Sequence, residues 1–157
     1  MNHASHNKLV SFIWSIADDC LRDVYVRGKY RDIILPMVVL RRLDTLLEET
    51  KEDVLEEARF QIKQMGLTEF DDKGLEDASG YVFYNTSKWT LTQLNRTTTN
   101  NQQILLANVE EYLGGFSANV KEIIDKFELK AKVRHMASKD VLLDVLEKFT
   151  SPYINLT

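Results

Sequence analysis

Eight apolar residues in a row, Ile33 to Leu40, carry Pro36 in their middle and end on Arg41-Arg42 within the stretch KYRDIILPMVVLRRLDTLLEE. A membrane span needs 18 or more consecutive apolar residues, and no stretch of this chain reaches that length. A central strand is disfavoured because Pro36 would remove a ladder hydrogen bond, which sheets tolerate only at edges. After Leu40 the apolar positions continue as Leu43, Leu46 and Leu47 with polar residues between them, which is helical spacing. The segment therefore reads as a helix, buried all round near Pro36 and one-sided afterwards. Proline costs the bond to the carbonyl four residues back, so this helix either starts close to Asp32 or bends at residues 32 to 36.

Helix-forming residues continue from Asp44 to Met65, where Gly66 is a natural stop, so the helix could exceed thirty residues. Its later part, with Val54, Leu55, Ala58, Phe60 and Ile62 among acids, reads as running along the surface. A first helix is expected from a possible N-cap at Ser5 to about Tyr25, with Leu9, Phe12, Ile13, Ile16 and Cys20 on one face and Gly28 as the break behind it. Thr68 to Gly80, dense in Asp and Gly, reads as a loop.

Tyr81 to Tyr84 favour a strand, followed by a turn or by Asn85-Thr86-Ser87 capping a short helix that contains Trp89 and Leu94. The cap is the preferred choice. The polar run Asn95 to Gln103 leads into a helix, Ile104 to Leu113, closed by Gly114-Gly115. Ser117 can cap a helix with Val120, Ile123, Ile124 and Phe127 inward. Ser138 can cap another with Val141, Leu142, Val145, Leu146 and Phe149 inward, ended by Ser151-Pro152. The expectation is one mainly α domain over residues 1–157: a helical bundle with a long second helix and a small extended element near residues 81–91.

The 157 residues, 44% hydrophobic and 28% charged, suit one globular unit. Cys20 is the only cysteine, so neither an internal disulfide nor a thiolate zinc cluster can form, and a cytoplasmic address is expected. The net charge of -4 hides an asymmetry. Residues 44 to 77 hold 12 acids and 4 bases, leaving 16 bases and 12 acids elsewhere, so an acidic arm accompanies a mildly basic body. A pI of about 5.4 argues against strong autonomous nucleic-acid binding.

The chain has no G-x-G turn to admit a nucleotide or S-adenosylmethionine, and Gly114-Gly115 follows a helix rather than a strand. Adjacent prolines, which hold a flipped base in amino-methyltransferases, are also missing. His3 and His6 have ligand-like spacing but no carboxylate partner, and His135 reads as a solvated cation near a helix end. The acids Asp18, Asp19, Glu48, Glu49 and Glu52 read as a wet face, so no metal site is expected. Three groups of cations remain as candidate DNA-phosphate contacts: Arg27, Lys29 and Arg31; Arg41 and Arg42; and Lys130, Lys132 and Arg134 within a basic stretch from Lys121 to Lys139. From the residues alone the preferred reading is that they salt-bridge the acidic arm or simply solvate the fold.

FIWSIADDCLRDVYVRGKYRDIILPMVVLRRLDTLLEE, Phe12 to Glu49, resembles the start of the modification subunit of type I restriction-modification systems, including the proline in the second helix and the basic-Leu-Asp sequence after it. GFSANVKEIIDKFELKAKV, Gly115 to Val133, and the helix ending in Glu147-Lys148-Phe149 resemble its later helices. The resemblance implies a helical amino-terminal domain ahead of an S-adenosylmethionine-dependent domain that methylates adenine at its exocyclic amine. It also implies a specificity subunit, a restriction subunit and double-stranded DNA as partners. The catalytic domain, with its cofactor loop and Pro-Pro motif, is expected downstream, leaving this chain with no catalytic or cofactor-binding residue and inert alone. Relatives often carry Pro-Glu where this chain has Asn85-Thr86-Ser87, which makes the geometry there a point of departure. The competing expectation is a free-standing helical adaptor without a DNA role, whose acidic arm binds a basic protein.

Overall fold

The computed structural model describes residues 3–22, 24–97 and 101–150. These residues form nine α-helices: α1 (His3–Ile16), α2 (Tyr30–Leu47), α3 (Lys51–Lys63), α4 (Asp72–Ser79), α5 (Leu91–Thr97), α6 (Gln102–Gly114), α7 (Ala118–Lys126), α8 (Leu129–Ser138) and α9 (Leu142–Phe149). The mainly α expectation is thus met, with no strand among the described residues. None of the described helices is long and apolar enough to cross a membrane.

The opening segment is helical, as its spacing requires. α2 starts at Tyr30, so Pro36 sits inside it and the bond from residue 36 to the Asp32 carbonyl is lost. Tyr30, Ile33, Ile34, Met37, Leu40 and Leu47 face the core, each side chain of this size contributing about 1.5–3 kcal/mol by leaving water. The segment is not buried all round near Pro36, because Leu35 is 45% exposed. Nor does it continue unbroken past thirty residues: a tighter turn, Glu48–Thr50, separates α2 from α3. α3 ends as expected before Gly66, whose φ of 66° lets the Leu67 amide reach back to the Gln61 carbonyl.

Most of the apolar residues form one core in which α6 packs on α8 and α9, and α2 packs on both of those. Val54, Ala58, Leu75 and Tyr84 make a second, smaller cluster beneath the acidic arm. That cluster explains a correction, since residues 68–80 contain a helix where a loop was expected. α4 folds because Leu75 is fully buried against α3, while the Asp71 amide donates to Gln61 Oε1 at 2.8 Å. The surface reading of α3 is corrected at Val54 and Ala58, which are buried, and holds at Phe60 and Ile62, which are about half exposed.

Other expectations shift locally. The first helical run ends at Leu21 rather than Tyr25, because α1 gives way to a wider helical turn, Ala17–Leu21. Cys20 is buried and Phe12 half-buried there, whereas the side chains of His3, His6, Leu9, Ile13 and Ile16 lie outside the described residues. Tyr81 to Tyr84 do not form a strand; the extended element is a single antiparallel bridge between Asn85 and Phe116. Trp89 precedes α5, and the cap is Thr90, whose hydroxyl accepts from the Gln93 amide while Gln93 Oε1 accepts from the Thr90 amide. Ser138 closes α8 instead of capping α9, and Ile123 is 41% exposed rather than inward. Ser151-Pro152 and most of the loop tip before Asn101 lie outside the described residues.

Candidate functional site

Two constellations stand out, one basic and exposed, the other polar and buried. Lys29 and Arg31 flank the start of α2 and are exposed; the side chain of Arg27 lies outside the described residues. Tyr25, just upstream, donates its hydroxyl to the Lys132 carbonyl at 3.5 Å, and its ring meets His135 edge-on at 5.0 Å. Tyr25 is thereby held against α8, the helix that carries the third cation group. On α8, Lys130 is exposed. The Lys132 ammonium donates to the Phe127 carbonyl, and Arg134 pairs with Glu110 of α6 at 2.9 Å. Exposed pairs of this kind contribute little and exchange readily.

Arg41 and Arg42 diverge. Arg41 is 13% exposed and lies 3.9 Å from Asp44 Oδ2, whereas Arg42 is exposed. Eleven residues separate Arg31 from Arg42, which is close to three turns and roughly 16 Å of rise, so both lie on one side of α2 with exposed Leu35 between them.

The buried constellation was not legible as a site. Asp44, 4% exposed, shares the inward face of α2 with Leu40 and Leu47. Its Oδ1 accepts from the Tyr112 hydroxyl at 2.8 Å and from the Leu91 amide at 3.2 Å. Burial pushes its carboxyl pKa up, against the two hydrogen bonds and the Arg41 charge. Burial, together with the neighbouring carboxylate, also raises the Tyr112 phenol. Lys51 donates to the Asn85 carbonyl at 3.4 Å and to Asn85 Oδ1 at 3.2 Å, and burial lowers its ammonium to about 8. Asn85 Oδ1 also accepts from the Ser87 amide and hydroxyl, while Asn85 Nδ2 donates to the Tyr112 carbonyl at 2.9 Å. The signal for this node was Asp44 itself, a carboxylate on an apolar helix face, which demands buried donors.

Chemically, the node joins α2, α3, the 85–90 segment and α6. No cluster of three or more His, Cys, Asp or Glu side chains is placed to hold a metal among the described residues. The Cys20 thiol, raised to about 11 chiefly by burial, is a poor nucleophile.

Together these features define an α-helical module pinned by an internal polar node, with exposed cations at the start of α2 and on α8. Residues 9–149 match the family model described as the HsdM N-terminal domain. The chain therefore belongs to that family, the amino-terminal domain of the methyltransferase subunit of type I restriction-modification systems. No curated protein and no solved structure matches it.

Proposed function

We propose that this domain clasps double-stranded DNA and docks the specificity and restriction subunits in a cytoplasmic complex that methylates adenine N6 from S-adenosylmethionine. Family membership carries the reading, since the methyltransferase subunit of a restriction-modification system must meet DNA. The arrangement of cations supports it. Lys29, Arg31 and Lys130 are exposed and enter no ion pair among the described residues, so they suit phosphate contact best. Arg42 extends the same side of α2, Arg134 becomes available once Glu110 releases it, and Arg27 adjoins Lys29 in the turn. Arg41 and Lys132, engaged with Asp44 and the Phe127 carbonyl, serve the fold first. The acidic arm, repelled by phosphate, is assigned to protein contacts.

Chemistry is assigned to a downstream domain. The parent reading frame should continue into a glycine-rich loop and an Asn-Pro-Pro-Phe motif, and a frame that stops at Thr157 would favour a free-standing adaptor. In a methyl-transfer assay residues 1–157 alone should read background while the whole subunit with its specificity partner labels adenine. Clear activity in the isolated chain would refute this division.

A further inference from the structure

A small cavity lies between α2, the head of α3 and the 85–90 segment, lined among others by Asp44, Lys51, Asn85, Trp89 and Tyr112, with room for about one water molecule. Two of its lining residues carry polar atoms with no hydrogen-bond partner in the protein. Asp44 Oδ2 is one, in a residue 4% exposed, and Trp89 Nε1 is the other, in a residue 9% exposed. Arg41 Nε, on the side chain paired with Asp44, is a third unpartnered atom nearby. Buried polar atoms without partners are rare because each forfeits its bonds to water.

The chemistry of these atoms selects the occupant. The indole N–H can only donate, so whatever meets it must accept. An ionised carboxylate oxygen can only accept, so whatever meets it must donate. A metal cation fails the first requirement and a halide fails the second. Water meets both, and it would still meet both if Asp44 were protonated, by accepting from each side. Lys51 strengthens the choice: an ammonium has three donors, and only Asn85 O and Oδ1 are its partners, which leaves one proton for a further acceptor.

We infer that one long-lived water occupies this cavity, accepting from Trp89 Nε1 and the Lys51 ammonium and donating to Asp44 Oδ2. The Asp44 and Lys51 charges then form a water-bridged pair that locks the Trp89 segment onto α2 and α3. This site stands independently of any role in DNA binding.

A high-resolution crystal structure of the 157-residue chain, paired with ¹⁵N-indole NMR in solution, tests the inference. The expected density is a single water-sized peak within hydrogen-bond distance of Asp44 Oδ2 and Trp89 Nε1. In solution the Trp89 indole proton should show cross-relaxation to water with the sign of a bound molecule. Trp14, 47% exposed, provides the internal reference and should show solvent exchange alone. A direct bond from Trp89 to Asp44, an anomalous-scattering ion in the cavity, or a Trp89 indole without any bound-water signal would each overturn it.

Discussion

Asn85→Ala cuts the most heavily bonded side chain of the buried node, and its cost can be worked from the contacts it removes. Asn85 is 3% exposed, and its amide oxygen accepts from the Ser87 amide at 2.8 Å, the Ser87 hydroxyl at 2.6 Å and the Lys51 ammonium at 3.2 Å. The Tyr112 carbonyl would be spared, because it also accepts from the Gly115 amide at 3.2 Å. The Ser87 amide would be stranded, and Lys51 would keep the Asn85 backbone carbonyl at 3.4 Å as its one protein partner. A stranded buried donor costs about 1–3 kcal/mol, with a charged donor toward or above the upper end. The expected loss is therefore about 3–5 kcal/mol, or roughly 10 °C in Tm for a chain of this size. Thermal and urea unfolding followed by circular dichroism measure it. Asn101→Ala supplies the scale: Asn101 accepts two backbone hydrogen bonds, as the cap of α6, but it is exposed, so its loss should cost only about 1 kcal/mol. Equal losses for the two variants would refute the argument that the buried node makes Asn85 the costlier side chain to remove.

Neighbouring glycines should behave oppositely: a Cβ on Gly115 would lie 2.6 Å from the Ser87 backbone nitrogen, whereas one on Gly114 meets nothing within 4 Å. Gly115→Ala should lower the urea midpoint markedly and Gly114→Ala leave it level or raised. Glu128 holds φ at 54°, so Glu128→Gly should stabilise by about 1 kcal/mol, seen as a Tm higher by about 2–4 °C; Asp140→Gly should gain less, since Asp tolerates its φ of 59° better. Lys51 supplies a pH signature. Its native pKa, lowered to about 8 by burial, lies below the ordinary 10.5, so the unfolded chain holds the proton more tightly and stability from this group rises as pH climbs from 8 toward 10.5. Relative to Lys51→Met, the wild type should gain ground between pH 8 and 10, by about 2 kcal/mol; a constant difference across that range would contradict the assignment.

The features legible in the sequence are those set by local chemistry. The 3.6-residue period through Ile33, Met37, Leu40 and Leu47 marks α2 with or without Pro36, and Gly66 and Gly114-Gly115 mark helix ends. What depended on distant partners was not legible. α4, with little more than Leu75 to bury, is too short to be stable alone and forms because α3 offers Val54, Ala58 and Gln61. Tyr81 to Tyr84 have strand propensity but pair with no strand, and the bridge that does form joins the next residue, Asn85, to Phe116, so no ladder grows. The cations of the candidate DNA surface could be named from sequence, but the contact of Tyr25 with α8 could not. The polar node escaped for the same reason, as Asp44, Lys51 and Asn85 read separately as members of an acidic arm and a turn.

The central claim is that the exposed cations at the start of α2 and on α8 meet DNA phosphate in the assembled complex. The most direct measurement is the salt dependence of DNA affinity for the methyltransferase and specificity subunits together, comparing wild type with Lys29→Ala/Arg31→Ala/Lys130→Ala. Each lost phosphate contact should reduce the slope of log K against log salt by about 0.9, so the triple variant should be shallower by about 2–3 and weaker at low salt, with its preference among DNA sequences unchanged. An unchanged slope and affinity across the whole salt range would contradict the claim.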